Sequence, residues 1–515
     1  MIRRALTLLT LLAGTSSNPK SRNAHAPLTA PPPVAREFRA AWATSIEDRG
    51  LRDWPSAPGL SADSQRAELR TMLDRAAASG LNAVLLHVRM AGDAMYPTTY
   101  APWSAALSGT SGVGPKPGYD PLAFAVTEAH ARGLQLHAWF NPFRAKLPGA
   151  SGRLAASHVT RAHPAWVRKY GTQTWIDPGN PAARAFVLAT ILDVVRRYDI
   201  DGVHIDDYFY PYRESETITR RVHGRRVRRR RQLDFPDAST WKKYGKGKGY
   251  TDRDDWRRAN VDSFVHALYT GVKAIKPWVI VGISPFGIWR SGSPSGVTGL
   301  DAYSEIFADS RHWLAEGWLD YLAPQLYWPL DGPQNRFRAL DAWWRTQNPQ
   351  RRYVWPGLYT SMTHGDNAWP ATEIADEIAS IRDSRIGSSD PPGHVHFRVA
   401  ALFAHDGRLA SVLRDGVYRE PALVPAFPWL GSTAPAAPKL SVVAENGPSI
   451  VVLAPADTVP VRWWLVQTRD RSGRWSESLR PPGDDRVSTA LDPDEVAVTA
   501  IGATGIASTP SLIAP

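Results

Sequence analysis

The chain contains no cysteine. That absence removes disulfides, thiolate metal ligands, a cysteine nucleophile and an N-terminal lipid-modified cysteine. It also contains no apolar run near the roughly 20 residues that a bilayer-spanning helix needs; the stretch at 5–14 falls well short. A basic face is missing too, although the formal net charge is +12. Residues 1–26 hold Arg3, Arg4, Lys20 and Arg22 and no acid, while residues 213–231, RESETITRRVHGRRVRRRR, hold nine arginines against two glutamates. These two stretches carry +4 and +7, so the remaining residues are nearly neutral at +1. A nucleic-acid surface spread over the fold is excluded on that count.

At 515 residues the chain exceeds the size at which one core stops growing, so one large domain with a smaller companion is expected. Arg3 and Arg4, the apolar run, and Ala24-His25-Ala26 have the order of a secretory signal. The expectation is a signal peptide over 1–26 and an exported protein, secreted or in the cell envelope, with no transmembrane segment. Twenty-one tryptophans point to thick cores or to surfaces on which flat ligands stack.

Short apolar segments alternate with helical periodicity. Strands are predicted at 38–45, 83–89, 134–141, 202–208, 279–284, 321–327, 353–358 and 395–402. Helices lie between them, such as 63–79 ending at Gly80, and one opening at Pro181 with Asn180 as its cap. Eight alternations over 37–430 read as an α/β fold, a (β/α)8 TIM barrel with long loops and a basic insertion at 213–231. Residues 27–36 read as a flexible segment and 420–440, rich in proline and alanine, as a linker. The helical pattern then stops, and 438–515 reads as a small C-terminal β-sandwich of immunoglobulin or fibronectin type. Its Trp463, Trp464 and Trp475 are core residues or sugar-stacking ones.

Alternate residues of a barrel strand face inward, and barrel active sites sit at the C-terminal strand ends. That parity brings His87 and Arg89, then His137, Trp139 and Asn141, then His204 and Asp206, then Gln325 and Tyr327, and His394 and His396 toward one mouth. Each alone is a satisfied core or rim group as readily as a functional one. Together, with Tyr208, Tyr210 and Trp328 nearby, they describe a polar cleft with aromatic walls. Such a cleft suits a sugar, whose faces stack on rings while its hydroxyls take donors and acceptors. A central carboxylate then suggests glycoside chemistry, which needs a proton donor beside an oxocarbenium-like transition state.

The stretches AGDAMYPTTYAPWS, GYDPLAFAVTEAHARGLQLHAWFNPFR, WIDPGNP, YDIDGVHIDDYFYPY, ISPFGIWR and WLDYLAPQLYW resemble, in order, the signature blocks of the bacterial glycosyl-hydrolase-like 10 family. The resemblance covers roughly 36–430. It implies a TIM-barrel glycoside hydrolase of the cell envelope, with at least one relative acting on peptidoglycan strands stripped of their peptides. Two departures stand out: His87 replaces the glutamine usual in the family's Q-V-R block, and the arginine-rich stretch is inserted after YFYPY. That insertion reads as a solvated, mobile loop or, because it emerges beside the mouth, as an electrostatic grip on anionic wall polymers.

Asp206 is the expected catalytic carboxylate, with Asp207, of opposite parity unless the backbone breaks there, as the neighbour that orients it, holds an arginine such as Arg89 or Arg144, or raises its pKa. The substrate-binding set is His87, Arg89, Asp93, His137, Trp139, Asn141, Arg144, His204, Tyr208, Gln325, Tyr327 and Trp328. A partner carboxylate is harder to place: ISPFGIWR holds no acid, Asp320 falls at the bottom of its strand, and Asp93, Asp309 and Asp366 are the candidates left. DGVHIDD also resembles the DxxDxDxE strand of chitinase-type enzymes, in which the substrate's own N-acetyl group is the nucleophile, with His204 and Tyr208 replacing two of the acids. No cofactor or metal is called for in the main reading. The alternatives are a non-catalytic glycan-binding barrel, or a metal-dependent carbohydrate hydrolase or deacetylase built from His137, His204, His394, His396 and Asp206.

Overall fold

The computed structural model describes residues 28–115, 118–150, 152–222, 225–404, 407–443, 450–488 and 493–515. The expected signal at 1–26 lies outside them. No helix among the described residues is long and apolar enough to cross a membrane.

Eight parallel strands form the central sheet: β1 Phe38–Ala43, β2 Ala83–Arg89, β3 Gln135–Phe140, β4 Gly202–Ile205, β5 Ile280–Ile283, β6 Tyr321–Leu322, β7 in two pieces, Tyr353–Val354 and Gly357–Leu358, and β8 Gly393–His396. Each pairs with the next; β8 pairs with β1, and the two pieces of β7 take up β6 on one side and β8 on the other. The order therefore closes on itself, in a TIM-barrel-like α/β fold. Helices between the strands follow local rules. Ser61 caps Ala62–Ala78, which buries Leu69, Met72, Leu73 and Ala76. Asn180 accepts from the Ala182 and Ala183 N–H groups at the start of Pro181–Arg197, which buries Val187, Ile191, Val194 and Val195.

Parity divides the strands as a barrel requires. Ala41, Val84, Leu86, Leu136, Val203, Ile205, Val281 and Ile283 pack outward against the helices, whereas Phe38, Trp42, Leu85, Trp139, Tyr321, Trp355 and Val395 fill the interior. These interior rings are large, and glycine makes room for them. A Cβ on Gly282 would lie 2.0 Å from the Tyr321 ring, and one on Gly202 would lie 2.6 Å from His137.

Several expected boundaries are corrected. β4 stops at Ile205, before the paired aspartates, and β6 is two residues long. β8 ends at His396, and Val399–Phe403 is helical instead of strand. Its inward residue is Val395, so His394 and His396 face outward, where both meet the Tyr418 hydroxyl. The arginine-rich insertion is no irregular loop: Ser215–Val222 pairs antiparallel with Arg225–Gln232 in a two-stranded ribbon. The stretch read as flexible is tied down from residue 29. Glu495 accepts from Thr29 N–H at 2.8 Å, the Pro32 carbonyl accepts from Gln467 at 2.9 Å, and Ala35–Arg36 pairs with Ala422–Leu423. The proline-rich linker also packs on the barrel, with Phe427 in the interior cluster and Trp429 donating to Asp320 at 2.8 Å.

Beyond it, Lys439–Val443, Ile450–Ala454 and Arg486–Ser488 form one antiparallel sheet, and Val461–Arg469, Trp475–Arg480, Glu495–Gly502 and Ser511–Ile513 form another. Val451, Leu453, Trp464, Val466, Val487, Val496 and Val498 make their common core. Trp463 is buried as well, edge-on to His130 of the barrel.

Candidate active site

A cleft of about 580 Å³ opens at the C-terminal ends of the strands. Asp206, Asp207 and Tyr208 reach it from the end of β4, Trp139 and Asn141 from β3, His87 from β2, and Gln325 and Tyr327 from the segment after β6. Arg144 and Gln173 arrive on a small sheet inserted after β3, made of Arg144–Lys146, Val167–Tyr170 and Gln173–Ile176. Because β4 has ended, the alternation of sides no longer applies, and both aspartates line the same cleft. The break in the strand thus removes the opposite parity of Asp207.

The two carboxylates sit in different surroundings. Asp206 Oδ2 accepts from Asn141 Nδ2 at 2.8 Å. Burial and the charge of Asp207 push its pKa up to about 8, against the opposing pull of Arg144 and the Tyr208 N–H. The Trp139 indole N–H adds a weaker attraction that falls short of a well-formed hydrogen bond. Asp207 is also raised by burial, but it accepts from the Tyr212 hydroxyl and is further relieved by Gln325 and Arg144. Asp207 is thus the anion better supported by hydrogen bonds, and Asp206 the site of the retained proton. Arg144 lies over the Tyr208 ring at 3.8 Å.

His87 stacks on Trp139 with ring centroids 3.8 Å apart. Its Nδ1 meets Thr44 Oγ1 at 2.9 Å, and that oxygen also accepts from Ile46 N–H. Burial, first of all, holds the ring neutral by driving its pKa well down. His87 Nε2, Trp139 Nε1, Asn141 Oδ1, Asp206 Oδ1 and Ser284 Oγ are all buried without a partner. Buried polar atoms are ordinarily paired, so this concentration along one cleft marks the place where a polar ligand completes them.

Other expected residues lie elsewhere. A bulge between His87 and Arg89 turns Arg89 out of register, and its guanidinium donates to the carbonyls of Asn141 and Pro142 beneath the loop. Asp93 accepts from Ala91 N–H, away from the cleft. Trp328 packs edge-on to Phe286 behind the wall. His137 and His204 are inside the barrel below the mouth, joined by one chain of hydrogen bonds. The Trp42 indole donates to His204 Nε2 at 3.1 Å, His204 Nδ1 lies 2.9 Å from the Tyr321 hydroxyl, that hydroxyl lies 3.1 Å from His137 Nδ1, and His137 Nε2 lies 3.2 Å from Gln135 Oε1. An indole only donates, so the direction is set along the whole chain. Both rings are kept neutral by burial, His137 being pushed down to about 4.

The histidines behind the metal alternative are therefore divided between Tyr321 inside the wall and Tyr418 outside it. Among the described residues no three His, Asp or Glu side chains gather as a metal site. Of the expected partner acids, Asp309 caps Ser310–Glu316 and binds Trp289, and Asp366 meets Arg49 through its carbonyl. Neither lines the cleft. The acid that does is Asp48, after β1, whose Oδ2 is buried and unpartnered. Trp42, Thr44, Tyr212, Ser284, Phe286 and Arg398 are further lining residues outside the expected set. Trp42 and Thr44 share the inward parity of Phe38, a signal present in the sequence. Arg398 is held by Asp53 and by the carbonyls of Thr44 and Ile46, contacts that only the fold creates.

The model of the family described as glycosyl hydrolase-like 10 matches residues 37–365. The glycosyl hydrolase YngK of Bacillus subtilis is 38% identical over 421 residues, 80% of this chain and 78% of its own. The glycosyl hydrolase DigH of Escherichia coli is 32% identical over 379 residues, 68% of this chain and 81% of its own. Among solved structures, the glycoside hydrolase domain of PgaB from Bordetella bronchiseptica shares 13% identity over 74% of this chain and 98% of that domain, with a TM-score of 0.44.

Proposed function

The chain belongs to the glycosyl hydrolase-like 10 family and is a glycoside hydrolase, and from that premise we propose that Asp206 is its proton donor, with Asp207 as the companion anion. The observation that carries the proposal is the pair itself: two adjacent carboxylates on one cleft, of which Asp206 is pushed toward its protonated form by burial and by the charge of Asp207. Asp206 gives that proton to the glycosidic oxygen as the bond to C1 breaks. Asp207, held by Tyr212, faces the reacting sugar as an anion. Two acids side by side on one wall suit an N-acetylated amino sugar: Asp207 accepts from the acetamide N–H, the acetamide oxygen attacks C1 from the opposite face, and water later opens the ring so formed.

The polymer we propose is the glycan strand of peptidoglycan, cleaved outside the cytoplasmic membrane. Support comes from the signal-like N-terminal pattern, the family resemblance and a cleft that mixes rings with unpaired polar atoms. In the same reading the two C-terminal sheets form an immunoglobulin-like sandwich that carries the barrel. Asp48 supports a second reading, an ordinary two-carboxylate scheme, through its unpartnered Oδ2 in the cleft. Release of reducing ends from peptide-free peptidoglycan decides between the two. Asp206→Asn lowers kcat by about 10²–10⁴ in either case. If the acetamide is the nucleophile, Asp207→Asn is similarly damaging, de-N-acetylated strands resist cleavage and Asp48→Asn stays active. The reverse ranking of Asp48 and Asp207 selects the second scheme, and full activity of Asp206→Asn would remove the proposal.

A further inference from the structure

We propose that the arginine ribbon, Ser215–Val222 with Arg225–Gln232, is a docking strip for an anionic glycan strand whose next segment lies in the cleft. The inference rests on the proposed peptidoglycan substrate and adds to the cleft a second surface, for the carboxylates of the strand.

Three arginines of the ribbon are uncompensated. Among the described residues the ribbon pairs only with itself, in a two-stranded sheet. Its second strand reads RRVRRRRQ. Arg226, Arg228 and Arg229 are exposed, and no acceptor meets any of them among the described residues. Arg231 pairs with Glu216 and Arg230 donates to Ser215. Glu214, the other acid of the stretch, is taken up by the Thr172 N–H and hydroxyl. An isolated two-stranded ribbon is marginal in water, and like charges along and across it repel. A bound polyanion reverses that repulsion into attraction.

The base of the ribbon belongs to the cleft. Tyr212, two residues before Glu214, lines the cleft and binds Asp207. Thr172, which holds Glu214, precedes Gln173 on the cleft rim. Leu233 N–H closes the base on the Glu214 carbonyl at 2.8 Å, and Arg213 ties its other side to the Ser304 carbonyl at 2.9 Å. Eight residues per strand at about 3.3 Å each carry the ribbon roughly 26 Å from that base, and side chains two apart, such as Arg226, Arg228 and Arg230, recur on one face about every 7 Å.

The chemistry favours an acidic polysaccharide over nucleic acid. Residues 213–232 contain no Phe, Tyr or Trp, so bases find no stacking platform on the ribbon. The rings lie in the cleft, at Tyr208, Tyr212 and Phe286, where a sugar stacks, while guanidinium groups outside match carboxylates. One polymer that carries both sugars and regularly spaced carboxylates uses both surfaces.

The test uses the full chain, peptide-free peptidoglycan strands with their free lactyl carboxylates, and the same strands after amidation. The variant is Arg226→Gln/Arg228→Gln/Arg229→Gln/Arg230→Gln. On native strands at low salt its KM is expected to rise about 10-fold with kcat unchanged, and raising the salt brings the parent protein to the same KM. On amidated strands the two proteins coincide. Co-sedimentation of Asp206→Asn protein with and without the arginine changes reads binding independently of cleavage. If these strands are not cleaved but retention still depends on the arginines and on salt, the proposed cleavage of peptidoglycan fails and the docking strip stands. If cleavage proceeds with KM and retention indifferent to the arginines, the docking strip fails alone. Displacement of the strands by a single-stranded oligonucleotide at equal charge, with higher affinity than the strands themselves, also overturns it.

Discussion

Asp206, the proposed proton donor, is also a destabilising group. Burial and the charge of Asp207 place its folded pKa at about 8, far above the ordinary 3.8. The folded state therefore holds a proton that the unfolded state releases, and stability falls as pH rises between those two values. Asp206→Asn removes the charge that folding must suppress. We expect the variant to melt higher than the parent at pH 8 and about equally at pH 4, read by thermal denaturation at both; equal melting at pH 8 contradicts the assignment. Activity of the parent, followed as kcat/KM, should decline above about pH 8 as the acid ionises. At this scale the sequence is a partial guide. The doubled aspartate was visible in it, and so were His87, Trp139 and Asn141 by parity. Arg89 leaves the mouth because one extra residue in β2 turns it under the loop, and Asp207 joins Asp206 because the strand breaks at Ile205, the condition on which its parity depends. Asp48 carries no local signal, being brought to the cleft by the loop after β1.

Among the elements, the eight strands and their order were legible because apolar runs alternate with helical periodicity. Their ends were not, since a strand end is decided by what the following residues bury. After His396 the run Val399–Phe403 is as apolar as a strand, yet Arg398 must reach Asp53, where both side chains are fully buried, and the chain turns there into a helix. The arginine ribbon is equally invisible to periodicity, because its pairing satisfies backbone groups and buries little. The barrel interior supplies a test of its own. Tyr321 joins His204 and His137, so Tyr321→Phe strands two buried ring nitrogens, each costing about 1–3 kcal/mol. We expect a loss of stability on that scale in denaturant unfolding, and a smaller effect on kcat than Asp206→Asn because Tyr321 lies below the cleft. A neutral effect on stability would mean that the chain of hydrogen bonds is not maintained.

For the whole molecule, the C-terminal sheets are joined to the barrel by charge. Arg462 reaches Asp199 at 2.6 Å and Asp201 at 2.7 Å, and Asp201 also meets His130 at 2.8 Å. Burial opposes ionisation of Asp201, but Arg462 and His130 outweigh it and hold the carboxyl well below the usual range. The stability this pairing confers is present above the unfolded pKa and is lost as pH falls through the folded one. Arg462→Ala leaves Asp201 buried beside a weaker partner, at a cost of about 3 kcal/mol. It should expose 430–440 to limited proteolysis while leaving cleavage at the cleft intact; unchanged proteolysis would count against a charge-held junction. This junction was not readable in the sequence, because residues 130, 199, 201 and 462 become neighbours only in the folded chain. Ring closure has a consequence in time. Phe38 pairs with Gly393, so β1 waits for β8, and at about 5–20 residues per second synthesis alone imposes a delay of roughly 20–70 s. Trp42, on β1, both borders the cleft and orients His204. The cleft is therefore among the last parts of the barrel to exist, and a nascent chain carrying both aspartates has no such cleft until β8 is made.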